Sequence, residues 1–123
     1  MLGHYILTPE HEIKPVSMME WAMWFENARE ETVVGKTEVG SNRVSTVFLG
    51  LDHNFLGEGP PILFETMIFG PGQERDQWRY ATWNEALAGH EAVVRDLESK
   101  LTPEEKLSAF RLPRPGDDQQ GTT

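Results

Sequence analysis

The sequence predicts an α+β domain: an antiparallel sheet of about five strands, met in the order β-α-β-β-β-β-α, with two long helices packed on one face. Three observations carry this expectation. Residues 43–55, RVSTVFLGLDHNF, are rich in β-branched and aromatic residues and are bounded by Gly40-Ser41-Asn42 and Gly57, as a strand requires. Two stretches open on capping boxes, Ser17-x-x-Glu20 and Thr82-x-x-Glu85, and continue with apolar residues at helical spacing. Between them, the apolar runs are linked by short connections rich in Gly and Pro. Strands joined in that way pair antiparallel.

Taken in order, residues 3–7 (GHYIL) suit a first strand. Thr8-Pro9 then begins a polar excursion through Lys14-Pro15-Val16, where proline biases the residue before it away from helix. Ser17 starts the first long helix, its hydroxyl accepting from the Glu20 amide while the Glu20 carboxylate accepts from the serine amide. Met18, Trp21, Ala22, Phe25 and Ala28 form one apolar stripe. Met23 and Trp24 fall off that stripe, which predicts a second surface for this helix. Residues 32–39 suit a strand, and 39–42 a tight turn into the central one. In the central run neither alternating set is purely polar, so coverage on at least part of both faces is expected.

Residues 62–69 (ILFETMIF) and 78–81 (WRYA) read as the remaining strands, separated by Gly70-Pro71-Gly72 and a polar loop. Thr82 caps a helix running from Trp83 to about Lys100, with its stripe at Trp83, Ala86, Leu87, His90, Val93, Val94, Leu97 and Leu101. Thr102-Pro103-Glu104-Glu105 opens a short third helix, with proline at the first helical position. Residues 1–112 are expected to form one domain. The tail 113–123, PRPGDDQQGTT, has no apolar residue and is expected to be mobile.

A chain of 123 residues supports a single core. Eleven Lys and Arg against twenty Asp and Glu leave a net charge of −9. The basic residues are scattered, so phosphate repulsion argues against duplex nucleic acid as a partner. The absence of cysteine excludes disulfides, thiolate catalysis and Cys-type zinc sites, and fits a reducing cytoplasm. The start, MLGHYILTPEHE, lacks the basic region of a signal peptide. No apolar run approaches ~18 residues, so no membrane span is expected.

The strings RVSTVFLGLDHNF, GPPILFETMIFG and WRYATWNEALAGH, with HYIL and WAMWFE before them, resemble a family of small proteins encoded by tailed bacteriophages and prophages. The likeness covers roughly residues 4–95. It implies a phage or prophage origin and expression inside a bacterium. It transfers no catalytic residue, cofactor or fold.

Asp52-His53-Asn54 ends the central run, and Glu65 interrupts an otherwise apolar strand. One strand register places Glu65 on the face of Asp52; a one-residue slip places it on the face of His53. The functional reading is an Asp/His/Glu site for a divalent metal or for proton transfer, with His4 as a further ligand. The structural reading is that Asp52 caps its loop while Arg79 or Arg43 neutralises Glu65 from an adjacent strand. Candidate ligand-binding residues are therefore Asp52, His53, Asn54, Glu65, Arg43, Arg79 and Trp24. In the metal alternative the ligands are His4, Asp52, His53 and Glu65. His90, on the apolar stripe, reads as a core histidine bonded to one backbone carbonyl, or as a ligand if it faces His4. His11-Glu12 and His90-Glu91 each lack the second histidine of a zinc-protease helix. Gly57-Glu58-Gly59 and Gly70-Pro71-Gly72 make no phosphate loop, and Ser41 and Ser45 have no nucleophile elbow.

Three classes of function follow. The preferred one is a cofactor-free binding protein that engages a host protein or sequesters a small ligand in the infected cell, as a monomer or a homo-oligomer. Small size, acidic surface, off-stripe Met23 and Trp24 and the lack of a catalytic motif favour it. The second is a small metal-dependent hydrolase or nuclease; the third is a virion or assembly component.

Overall fold

In the computed structural model, which describes residues 3–71 and 76–109, the central run lies in the middle of an antiparallel sheet. The elements are β1 (His4–Leu7), β2 (Ile13–Val16), α1 (Met18–Asn27), a 3₁₀ turn (Glu30–Thr32), β3 (Val33–Val39), β4 (Asn42–Phe48), β5 (Phe64–Phe69), β6 (Gln77–Tyr80), α2 (Trp83–Ser99) and α3 (Pro103–Ala109). The α+β class and antiparallel pairing match the sequence expectation; the strand arrangement differs. β3-β4-β5-β6 form a four-stranded meander, while β1 and β2 form a separate hairpin.

The additional strand is β2, which contains Pro15 opposite Tyr5. Proline removes one ladder donor, and β2 tolerates this because, among the described residues, it pairs with β1 alone. The hairpin joins the main sheet beyond β4: Tyr5 N donates to Gly50 O at 2.8 Å, Asp52 N donates to Gly3 O at 3.2 Å, and His4 bridges Leu51. Gly50 makes that junction possible. Its φ is +78°, and a Cβ there would stand 2.2 Å from Phe25 and 2.7 Å from the Trp21 indole nitrogen. The absent side chain is the seat of α1.

One face of the sheet is dry. Val44, Thr46 and Phe48 of β4 stand directly opposite Ile68, Thr66 and Phe64 of β5, and all six are buried. Ala86, His90, Val93 and Leu97 of α2 cover them at helical spacing. Phe25 and Trp24 of α1 meet Phe48 at ring separations of 6.0 and 5.9 Å, so both helices lie on this face. The alternate set, Val47 and Ser45 of β4 with Glu65 and Met67 of β5, is only half-buried. The inward face of α1 is rotated from the expected stripe. Trp21, Trp24, Phe25 and Ala28 are half-buried, whereas Ala22 and Met18 are exposed, the latter by 66%. Phe48 and Gly50 offer an aromatic seat, and Trp24 fills it where Ala22 would leave a gap.

Among the described residues, no helix is long and apolar enough to cross a membrane. The polar tail expected from residue 113 lies outside the described residues. Because β4 is bonded on both sides by β3 and β5, its amides from Val44 to Phe48 are expected to exchange slowest with solvent. Exchange there as fast as in the edge strand β6 would contradict this topology.

Candidate functional site

Asp52, His53, Asn54, Glu65 and Arg79, all singled out from the sequence, each make a hydrogen bond within the fold. Asp52 Oδ1 accepts from Asn54 N at 2.7 Å and from Ile62 N at 2.9 Å, closing the loop after β4 at both ends. Asn54 is buried, and its amide donates to the carbonyls of Glu58 and of Pro60, the latter at 3.0 Å. His53 Nδ1 is 2.8 Å from Leu51 O. A carbonyl only accepts, so Nδ1 carries the proton and donates. The Asp52-His53-Asn54 cluster is a loop clamp.

Glu65 pairs with Val47 across β4 and with Arg79 across β6. That register places it on the face of His53, but the His53 backbone meets Ile62 instead. Arg79 Nε donates to Glu65 Oε2 at 3.0 Å. Arg43 lies 5.4 Å from the centre of the Phe69 ring, so it is Arg79 that neutralises Glu65. His4 pairs with Val16 and sets its ring against Trp21 at 5.3 Å. Among the described residues, no three His, Asp or Glu side chains gather where they would hold a metal. The Arg79 side chain is 37% exposed, so solvent screens the pair. Glu65→Gln is expected to cost about 1 kcal/mol by chemical denaturation. A gain in stability from the same change would mark Glu65 as a strained site residue.

His90 does not bond a backbone carbonyl, as the sequence suggested. Its Nδ1 lies 2.7 Å from Thr46 Oγ1 and its Nε2 2.9 Å from Thr37 Oγ1. The ring fits because β3 has Gly35 beneath it, where a Cβ would stand 2.9 Å from Nε2. With Thr37 and Thr46 as its partners and His4 against Trp21, the two histidines serve separate places. Burial lowers the His90 pKa below the ordinary histidine value, with the Glu91 carboxylate opposing in part.

Trp24, another of the candidates, lines a recess. A cleft of about 320 Å³ opens between the β1–β2 turn, α1, the 3₁₀ turn and the start of α2. Its walls include Thr8, His11, Trp24, Glu30, Glu31 and Trp83. The turn is fixed by Thr8 N to Glu12 O at 2.8 Å, His11 N to Thr8 O at 2.9 Å and Glu12 N to Thr8 Oγ1 at 3.1 Å. His11 adopts φ 68°, uncommon for a side-chain-bearing residue, and stacks its ring on Trp83 at 3.7 Å and 8°. The Thr82–Glu85 capping box holds Trp83 as the first residue of α2. Trp24 is braced edge-on against Phe48 and Phe25.

The mouth is acidic. Glu31 Oε1 accepts from Arg29 N at 3.0 Å. Hydrogen bonds from its own amide and that of Arg29 hold its carboxyl below the ordinary range. Beside the cleft, Met23 and Trp24 border a shallow depression with Asn27, Ala28 and Glu31. Met19 and Met23 are 71% and 60% exposed.

Sequence reasoning did not anticipate His11, Trp83, Glu30 or Glu31 as neighbours. The available signal was the Thr8–Glu12 stretch read as a tight turn between strands, which would have folded His11 back over the start of α2. No protein-family model, curated protein or solved structure matches the chain.

Proposed function

We propose that this protein is a binding protein of phage or prophage origin, which engages a host protein inside the bacterium through the Trp24–Trp83 cleft and the exposed Met23 beside it. The observation that carries this reading is the cleft itself: two tryptophans and the carboxylates of Glu30 and Glu31 line one recess, and exposed Met23 lines the shallow depression beside it. Methionine side chains adapt to a partner's shape, and aromatic residues supply large contact area at low entropic cost. By contrast, Asp52, Asn54 and Glu65 each hold a neighbouring segment in place.

A photo-cross-linking residue introduced at Met23, compared with one at exposed Lys36 on β3, tests the reading in bacterial cells. One recurrent protein adduct from position 23, missing from position 36 and lost with Trp24→Ala, is the expected result. The same adducts from both positions would overturn it. Metal analysis, with melting before and after chelation, tests the competing chemistry. A stoichiometric transition metal whose removal lowers Tm by many degrees would favour the hydrolase reading instead.

A further inference from the structure

We infer that the cleft receives an organic cation, a guanidinium or ammonium side chain presented by the partner protein. This inference rests on the binding reading above and names what that site recognises. Trp24 and Trp83 line the cleft; His11 covers one face of Trp83, and cations are attracted to the negative ring faces left open. Glu30 and Glu31 stand at the same recess, and none of the residues lining it is Lys or Arg. An anionic ligand would meet two carboxylates at the mouth, with no Lys or Arg in the lining to offset them. A neutral ligand would gain no Coulomb attraction from the two carboxylates. A cation satisfies both features at once.

The carboxylate is also preorganised. Glu31 has one oxygen fixed by the Arg29 amide, so its side chain has already lost freedom that a binding event would otherwise remove. The cleft volume of about 320 Å³ sits at the lower end for ligand sites, which suits a single side chain better than a large free molecule. The chain's net charge of −9 adds long-range attraction for a basic partner.

The test uses the full chain and follows the indole resonances of Trp24 and Trp83 by NMR, assigned through Trp24→Phe and Trp83→Phe. The probes are N-acetyl-arginine amide, its neutral citrulline counterpart, and a short peptide with arginine between apolar residues. The arginine probe is expected to shift both resonances and to bind about tenfold more tightly than the citrulline probe. The peptide is expected to bind more tightly than the single amino acid. Glu31→Gln is expected to weaken the arginine probe about fivefold without changing Tm appreciably. Equal binding of arginine and citrulline probes would overturn the cation inference, as would unshifted indole resonances with the cross-link from position 23 still forming. Equal affinity for peptide and single amino acid would overturn the assignment to a protein partner. Loss of the specific cross-link sinks the binding reading itself, and so separates the two failures.

Discussion

Phe64→Ala is expected to lower the unfolding free energy by about 3–5 kcal/mol, among the largest effects of any single truncation in this chain. Phe64 has no exposed surface. Its ring meets Phe48 at 5.2 Å and Trp83 edge-on at 6.3 Å, so it links β5 to both β4 and the first residue of α2. Phe48 in turn carries Trp24 and Phe25. The cavity left by alanine would open where these rings converge, and the braced aromatic residues have little room to collapse into it. The two tryptophans of the cleft lean on this same cluster, so the variant is also expected to broaden their indole resonances. Denaturant unfolding gives the free energy. A loss below about 1 kcal/mol would mean that the cluster repacks freely, and the cleft walls would not then be rigid.

The sequence made the sheet and helices legible because their signals are local. Capping boxes at Ser17 and Thr82 place both helix starts, and the apolar runs place β3 to β6. Strand β2 was hidden by Lys14-Pro15, whose proline reads as a breaker unless the strand is known to lie at an edge. The face of α1 was misread because the stripe through Met18 and Ala22 and the stripe through Trp24 have similar apolar content. What separates them is the shape of the seat at Phe48 and Gly50, fixed by residues far along the chain. The candidate site was less legible for the same reason. Asp52, His53 and Asn54 looked capable of chemistry, yet a residue that can ligate can equally cap a loop, and only hydrogen-bond geometry tells the two apart. The cleft joins Thr8 and His11, Trp24, Glu30 and Glu31, and Trp83. No periodicity or spacing relates those segments; tertiary packing alone brings them together.

The second large effect is expected in the polar layer between the two halves of the core. Thr46 Oγ1 lies 2.5 Å from Thr66 Oγ1 and 2.7 Å from His90 Nδ1, and all three residues are buried. Thr46→Val keeps the volume but removes the shared hydroxyl, stranding a histidine nitrogen and the Thr66 hydroxyl. Each unpaired buried group costs about 1–3 kcal/mol, so the variant is expected to lose about 2–6 kcal/mol in all. The same layer gives stability a pH dependence. Burial lowers the His90 pKa in the folded state, so below the ordinary histidine value the unfolded chain binds the proton first. The contribution is therefore complete above pH ~6.5 and declines as pH falls from there towards the folded-state pKa. For one proton, the slope can reach at most about 1.4 kcal/mol per pH unit. Carboxylates elsewhere also titrate at low pH, so the measurement is a difference: unfolding free energies of the parent and of His90→Gln, compared from pH 7.5 to 5. The parent is expected to lose stability faster than the variant as pH falls below about 6.5. Parallel curves would show that His90 protonates as readily inside the fold as outside it, and would remove the physical basis for a buried, bonded layer at Thr46, Thr66 and His90.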